Sequence, residues 1–282
     1  MNNTLKKKWN NFFPSDIELF KLINEVTSAN NCAYFLIGAK ARDILLEYFD
    51  KNEAQRATLD TDIAICCKNW DEFYKIKNAF IQNADFIVDN KHEHRVVSAK
   101  FGYLDILPFG DIKAENPNLK WPPEYDIEFS LIGFDDAYNG AIKIDINEVN
   151  VKIASPLGLV LLKLFAWISR QAKKDASDFI NIVSNYLDFD NQDRLDTEHA
   201  DLLLEEHFDY VLSGCRLLGR DLKGLSLETQ NRLKEFFDNK ILMDKLAISI
   251  TQPQIDYDMA VSMLVMIKRG FNDLTVEEQI IP

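Results

Sequence analysis

The pattern of the chain changes kind at residue 155. Before it, short apolar runs of strand length alternate with amphipathic helical segments; from Ser155-Pro156 onward the chain reads almost wholly helical. That order predicts an α+β protein in two domains, 1–154 built on a mixed β-sheet and 155–282 mostly helical. The chain has 282 residues and 47% hydrophobic content, enough to bury a core in each.

Ser15 with Glu18 three residues later reads as a capping box ahead of a helix whose apolar face is Ile17, Leu19, Phe20, Leu22, Ile23 and Val26. AYFLIG reads as a strand ending at Gly38, ARDILLEYF as a helix, and Trp70–Ile81 as an amphipathic helix. ADFIV, HRVVSA and YLDILPF are strands, the last two joined as a hairpin through Lys100-Phe101-Gly102. IEFSLIGF, AIKIDI and VNVKIA continue the β run. Pro156 suits the first turn of the helix that follows. The helical pieces beyond are 156–170, 174–186, 199–213, 226–238, 241–249 and 256–269.

Asp60 and Asp62 lie in ATLDTDIAI, two residues apart where an apolar alternation begins. Alternate residues of a strand share a face, so the two carboxylates project together while Leu59, Ile63 and Ile65 fill the buried face. Like charges side by side repel, so an ordinary solvated strand gains nothing from this arrangement. In YLDILPFG, Asp105 shares a face with Tyr103 and Leu107. If the two strands are neighbours, three carboxylates converge. A cation relieves such a cluster, and oxygen ligands with open positions suit Mg²⁺ held jointly with substrate phosphates. Two ions about 3.5–4 Å apart would clamp an in-line displacement at phosphorus. The plainer alternative is that Asp105 merely ends a strand before Pro108.

FLIGAKARDILL, RATLDTDIAI and YLDILPFG, in that order, resemble the nucleotidyltransferase superfamily of the polymerase-β type, and LLKLFAWISRQAKKDASDFINIV is similar to the helical region of AbiEii-type toxins. The likeness covers about residues 33–186. It implies an N-terminal nucleotidyltransferase domain and a helical domain that completes a nucleotide cleft. The implied reaction moves a nucleotide from an NTP to an acceptor with Mg²⁺. By position, Asp60, Asp62 and Asp105 would bind metal, with Asp105 also assisting base chemistry, and Gly38 would lie beside the triphosphate. The family usually has Gly-Gly or Gly-Ser where this chain has Gly38-Ala39; backbone N–H groups at the helix start can still meet phosphate. GAKARD also resembles an element of tRNA CCA-adding enzymes, with Arg42 as a phosphate contact or a solvated helix residue.

Lys163 interrupts a helix apolar nearly all round. It either snorkels to water or reaches the triphosphate, the second being what the resemblance implies. Arg170 follows two turns on and is a further nucleotide-binding candidate, or a helix-end residue placed for the dipole. Asp175 and Asp178, three apart on the next helix, would orient Lys163 or activate the acceptor; otherwise they are acids of a helix start. His92 and His94 form an H-x-H without further ligands spaced to complete a metal site; His94 and Arg95 are instead candidates to line the cleft. Phosphatases of the haloacid-dehalogenase type and nucleotide-sugar glycosyltransferases also use DxD, but after an apolar strand rather than opening one.

The formal net charge is -13, which argues against a broad phosphate-gripping surface. It suits a small cationic acceptor such as an aminoglycoside, whereas the toxin-like motif order favours tRNA or protein and an antitoxin partner. A nucleotide-binding module without turnover is the non-enzyme alternative. Cys32, Cys66, Cys67 and Cys215 lack metal-ligand spacing and read as reduced thiols. The N-terminus has lysines with no apolar segment behind them, and no run is long enough to span a bilayer. A soluble, cytoplasmic protein without a membrane partner is expected.

Overall fold

The structure is a computed structural model that describes residues 9, 13–49, 60–83, 86–113, 118–122 and 128–273. Two compact units divide the chain, Met1–Gly158 and Leu159–Pro282.

The N-terminal unit holds, in chain order, α1 (Pro14–Ala29), β1 (Tyr34–Ile37), α2 (Gly38–Tyr48), β2 (Asp60–Cys66), α3 (Trp70–Asn83), β3 (Phe86–Val88), β4 (Arg95–Ser98) and β5 (Gly102–Phe109). There follow β6 (Asn118–Lys120), β7 (Glu128–Ser130), α4 (Phe134–Asn139), β8 (Ile142–Ile146) and β9 (Val149–Ile153). Seven strands form one mixed sheet in the order β3-β4-β5-β2-β1-β9-β8, and β6 and β7 pair separately. The pairs β2–β5 and β1–β9 are parallel and the other pairs antiparallel. Thr61, Ile63 and Ile65 are buried along one face of β2, as the alternation predicts; Leu59 lies outside the described residues. Leu19, Phe20, Ile23 and Val26 of α1 and Phe73, Ile76 and Phe80 of α3 belong to this unit's core.

The N-terminal unit departs from two local expectations. Helix α1 begins at Pro14, one residue before Ser15; the Asp16 carboxylate accepts the Phe13 N–H at 3.0 Å, and Glu18 pairs instead with Lys100. Proline suits the first turn because its missing N–H costs nothing there. IEFSLIGF is not one strand: β7 ends at Ser130, Gly133 takes a left-handed φ of 87°, and α4 starts behind it with Asp135 and Asp136 in its first turn. Acids there favour the positive end of the helix dipole.

Helix α5 (Pro156–Arg170) carries the unit boundary in its first turn, where Ser155 Oγ accepts the Gly158 N–H at 3.2 Å. The C-terminal unit continues with α6 (Lys173–Ser184), α7 (Gln192–Asp196), α8 (Ala200–Glu205), α9 (Tyr210–Lys223), α10 (Leu227–Asp238), α11 (Lys240–Ser249) and α12 (Tyr257–Phe271). The helix expected over 199–213 is broken. His207 and Phe208 adopt positive φ after α8, and α9 restarts with Asp209 as its cap, accepting the Leu212 N–H at 2.9 Å. Helices α9 and α12 touch backbone to backbone: a Cβ on Gly219 would stand 2.2 Å from the Ile267 carbonyl oxygen, and one on Gly270 1.9 Å from that of Arg216. Among the described residues no helix is long and apolar enough to cross a membrane.

Candidate active site

Strand register brings the predicted carboxylates to one face of the sheet. In the parallel pair β2–β5, Asp62 lies beside Asp105 and Asp60 beside Tyr103. Asp60 and Asp62 are partly exposed, and Asp105 is buried.

The turn from β1 into α2 closes on this face. Ile37 pairs with Asp62 across β1–β2, and the next residue, Gly38, takes a φ of +72°. A Cβ at Gly38 would stand only 2.1 Å from Asp62 Oδ2. Glycine is thus required twice over, by the left-handed backbone and by the carboxylate lying against it. The arrangement sets Asp62 at the N-terminus of α2, where unpaired backbone N–H groups and the helix dipole favour negative charge. Arg42, one turn into α2, donates to Asp43 Oδ1 from Nε at 3.0 Å and from Nη2 at 2.7 Å.

Asp105 has a partner that was not foreseen. Arg95 sits directly opposite it on β4 and donates from Nε to Oδ1 at 2.6 Å and from Nη2 to Oδ2 at 2.7 Å. This fork-to-fork geometry is the strong form of a charge-assisted pair. The guanidinium also lies 4.7 Å from the centre of the Tyr103 ring. Its bonds to Asp105 push the Arg95 pKa further above the ordinary arginine range, against burial, and Asp60 adds to the effect. The positive charge on this face is therefore supplied in part by the protein itself. His94, preceding β4, has Nε2 3.9 Å from Asp105 Oδ2 and its ring against Trp121; burial lowers its pKa, opposed by Asp105. His92 turns to Asp89 instead, at 3.0 Å. Lys77, almost fully buried on α3, holds the segment carrying His94 by donating to Glu93 Oε1 at 2.9 Å.

Among the described residues no three or more His, Cys, Asp or Glu side chains are grouped as a metal site would need. The donors that remain suit a hard cation all the same. Mg²⁺ is commonly held by one or two carboxylates together with substrate phosphates and water, and Asp60 and Asp62 provide such a pair.

In the C-terminal unit the predicted residues form a chain of ion pairs. Lys163 Nζ on α5 lies 2.7 Å from Asp178 Oδ2 and 3.7 Å from Asp175 Oδ1, both carboxylates being on α6. Arg170 grips Asp175 from Nε at 2.5 Å and Nη2 at 2.7 Å. Asp175 and Asp178 are buried, whereas the Arg170 side chain is 64% exposed. Lys163 is thus neither a snorkelling lysine nor an unopposed one: two buried carboxylates fix its ammonium.

The four cysteines are free thiols. Burial pushes the Cys32 thiol up to about 12, and raises those of Cys67 and Cys215 as well, so they are poor nucleophiles.

No family model matches the chain, and no curated protein matches it. Matching solved structures include an antigenic nucleotidyltransferase-like protein from Paracoccidioides brasiliensis, at 16% identity over 66% of this chain and 88% of that one, with a TM-score of 0.39. Another is the antibiotic-resistance factor ANT(2'')-Ia, at 13% identity over 68% of this chain and 98% of that one, with a TM-score of 0.36. At scores this low, the likenesses assign neither family nor activity to the chain.

Proposed function

We propose that the chain is a Mg²⁺-dependent nucleotidyltransferase that moves a nucleotide from an NTP to an acceptor. The observation that carries this reading is the packing of Asp62 against the Gly38 turn, with Asp60 and Asp105 on the same sheet face. A glycine turn leading into a helix presents backbone N–H groups to phosphate. Asp60 and Asp62 hold the cation, which when bound offsets phosphate charge and polarises the α-phosphorus. The acceptor oxygen attacks that phosphorus, its bond to the bridging oxygen breaks, and pyrophosphate leaves. Asp105 is the candidate to receive the acceptor's proton, on condition that Arg95 releases one of its oxygens. Arg42, one turn into α2 of the same unit, is the further candidate phosphate contact. The net charge of -13 favours a small cationic acceptor over tRNA. A protein acceptor and a toxin role with an antitoxin partner rest on motif order alone.

A second reading, a nucleotide-binding module without turnover, is favoured by the Arg95–Asp105 bond, which occupies the candidate base. Calorimetry with ATP, CTP, GTP and UTP separates the two. Binding that requires Mg²⁺ and is lost in Asp62→Asn supports the enzyme; equal binding by that variant without Mg²⁺ supports the module.

A further inference from the structure

We infer that the N-terminal unit carries a second site, for a small molecule bearing a phosphate group, at the end of the sheet away from the Asp60–Asp62 pair. The hairpin β8–β9 places Lys143 directly opposite Lys152. Like charges facing each other across a ladder repel, so the pair costs stability unless something compensates it. Among the described residues neither lysine forms an ion pair, in a chain whose net charge is -13. Asp145, the next residue on the Lys143 face, is turned to the hairpin loop, its Oδ1 accepting the Glu148 N–H at 3.0 Å.

Both lysines line a cavity of about 510 Å³ with Asn24, Ser28, Tyr34 and Asn150, and among the described residues no carboxylate lines it. Its walls are built rather than loose. The Tyr34 hydroxyl donates to Asn24 Oδ1 at 2.7 Å, and Asn24 Nδ2 donates to the Asn150 carbonyl at 2.9 Å. Lys152 Nζ lies 3.2 Å from the centre of the Tyr138 ring, which is itself packed on Phe35 and Phe109. A cation held on a ring face is positioned rather than free to roam. Two facing positive charges, that of Lys152 held on the ring, match the two negative charges of a phosphate monoester. The volume falls in the range of small-molecule pockets and exceeds what a bare phosphate fills, so room remains for an organic group. The location is separate from the candidate active site: Tyr34 pairs with Ile65 across β1–β2, while Asp62 pairs with Ile37 three residues on, about 10 Å along the strand. Nothing in nucleotidyl transfer calls for this site.

The test uses the full chain in EDTA, with inorganic phosphate and glucose 6-phosphate as probes and calorimetry as the readout. The wild type is expected to bind at least one probe, and Asp62→Asn to bind it equally well. Lys143→Gln and Lys152→Gln should each weaken binding at least tenfold. Without probe, Lys143→Gln should melt at the same temperature as wild type or higher, because it relieves the repulsion. Binding of the ester alone identifies a phosphorylated metabolite as the ligand class; binding of both places recognition in the phosphate. The inference is overturned by equal affinity in the lysine variants, by no binding of either probe tighter than about 10 mM, or by a lower melting temperature for Lys143→Gln.

Discussion

Replacing Gly38 with alanine tests the geometry at the centre of the candidate site. Two costs follow from the structure. The φ of +72° is one that residues with a Cβ disfavour, at about 1–2 kcal/mol. The new Cβ would also stand 2.1 Å from Asp62 Oδ2 and 2.7 Å from its Cγ, far inside contact distance, an overpacking of about 1–3 kcal/mol. Gly38→Ala should therefore lose about 2–5 kcal/mol in urea denaturation monitored by far-UV circular dichroism. The two parts separate in a double-mutant cycle. On an Asp62→Gly background the carboxylate and the Asp62 Cβ, itself 2.9 Å from the new Cβ, are both gone, and the same substitution should cost only about 1–2 kcal/mol, set by the backbone. A cost below about 1 kcal/mol in the wild-type background, or strict additivity with Asp62→Gly, would refute the claim that Gly38 and Asp62 are packed as a unit.

Lys163→Ala leaves two buried carboxylates without their shared ammonium and should cost about 3–5 kcal/mol, much of it recovered by adding Asp178→Ala; a cost under about 1 kcal/mol in the same denaturation assay would contradict the ion-pair chain. Stability should also depend on His199, whose pKa is lowered by burial and then by Arg220 and Arg194, against Asp221 and Asp201. Because the folded value lies below the unfolded one of about 6.5, the unfolded chain takes up the proton first. The His199 contribution is therefore complete above that pH and lost as pH falls through the folded value. Melting temperatures from pH 7.5 to 5 should fall less steeply in His199→Gln than in wild type, and parallel slopes would count against it.

Much of this fold could be read from local chemistry. The change of pattern at Ser155-Pro156 lies a few residues from the boundary between the units, and the alternation around Asp60 gives the burial of β2 directly. The failures have physical causes. Helix α9 was hidden because Gly214 and Gly219 weaken a helical pattern in sequence, whereas in the fold Gly219 is what lets α12 approach. The break before it needed the positive φ of His207 and Phe208, which no turn residue announces. At the site, the shared face of the carboxylates was legible from strand parity, and Arg95 reads from the sequence as a cleft-lining residue, but not as the partner of Asp105. Its position was nonetheless within reach: once Ser98 pairs with Gly102 in the hairpin, counting back along β4 and forward along β5 sets Arg95 opposite Asp105. The contact between Gly38 and Asp62 is not a local property of either motif. It arises because β1 and β2 pair antiparallel in a register that only the whole sheet fixes.

The most direct test of the central claim is to follow labelled phosphate from an NTP into an acceptor with Mg²⁺ present, comparing label at the α and γ positions in wild type and in Asp62→Asn. Nucleotidyl transfer predicts that α-label reaches the acceptor, that γ-label appears only in pyrophosphate, and that Asp62→Asn, folded by far-UV circular dichroism, transfers neither. Transfer of γ-label, or full α-transfer by Asp62→Asn, would contradict the account.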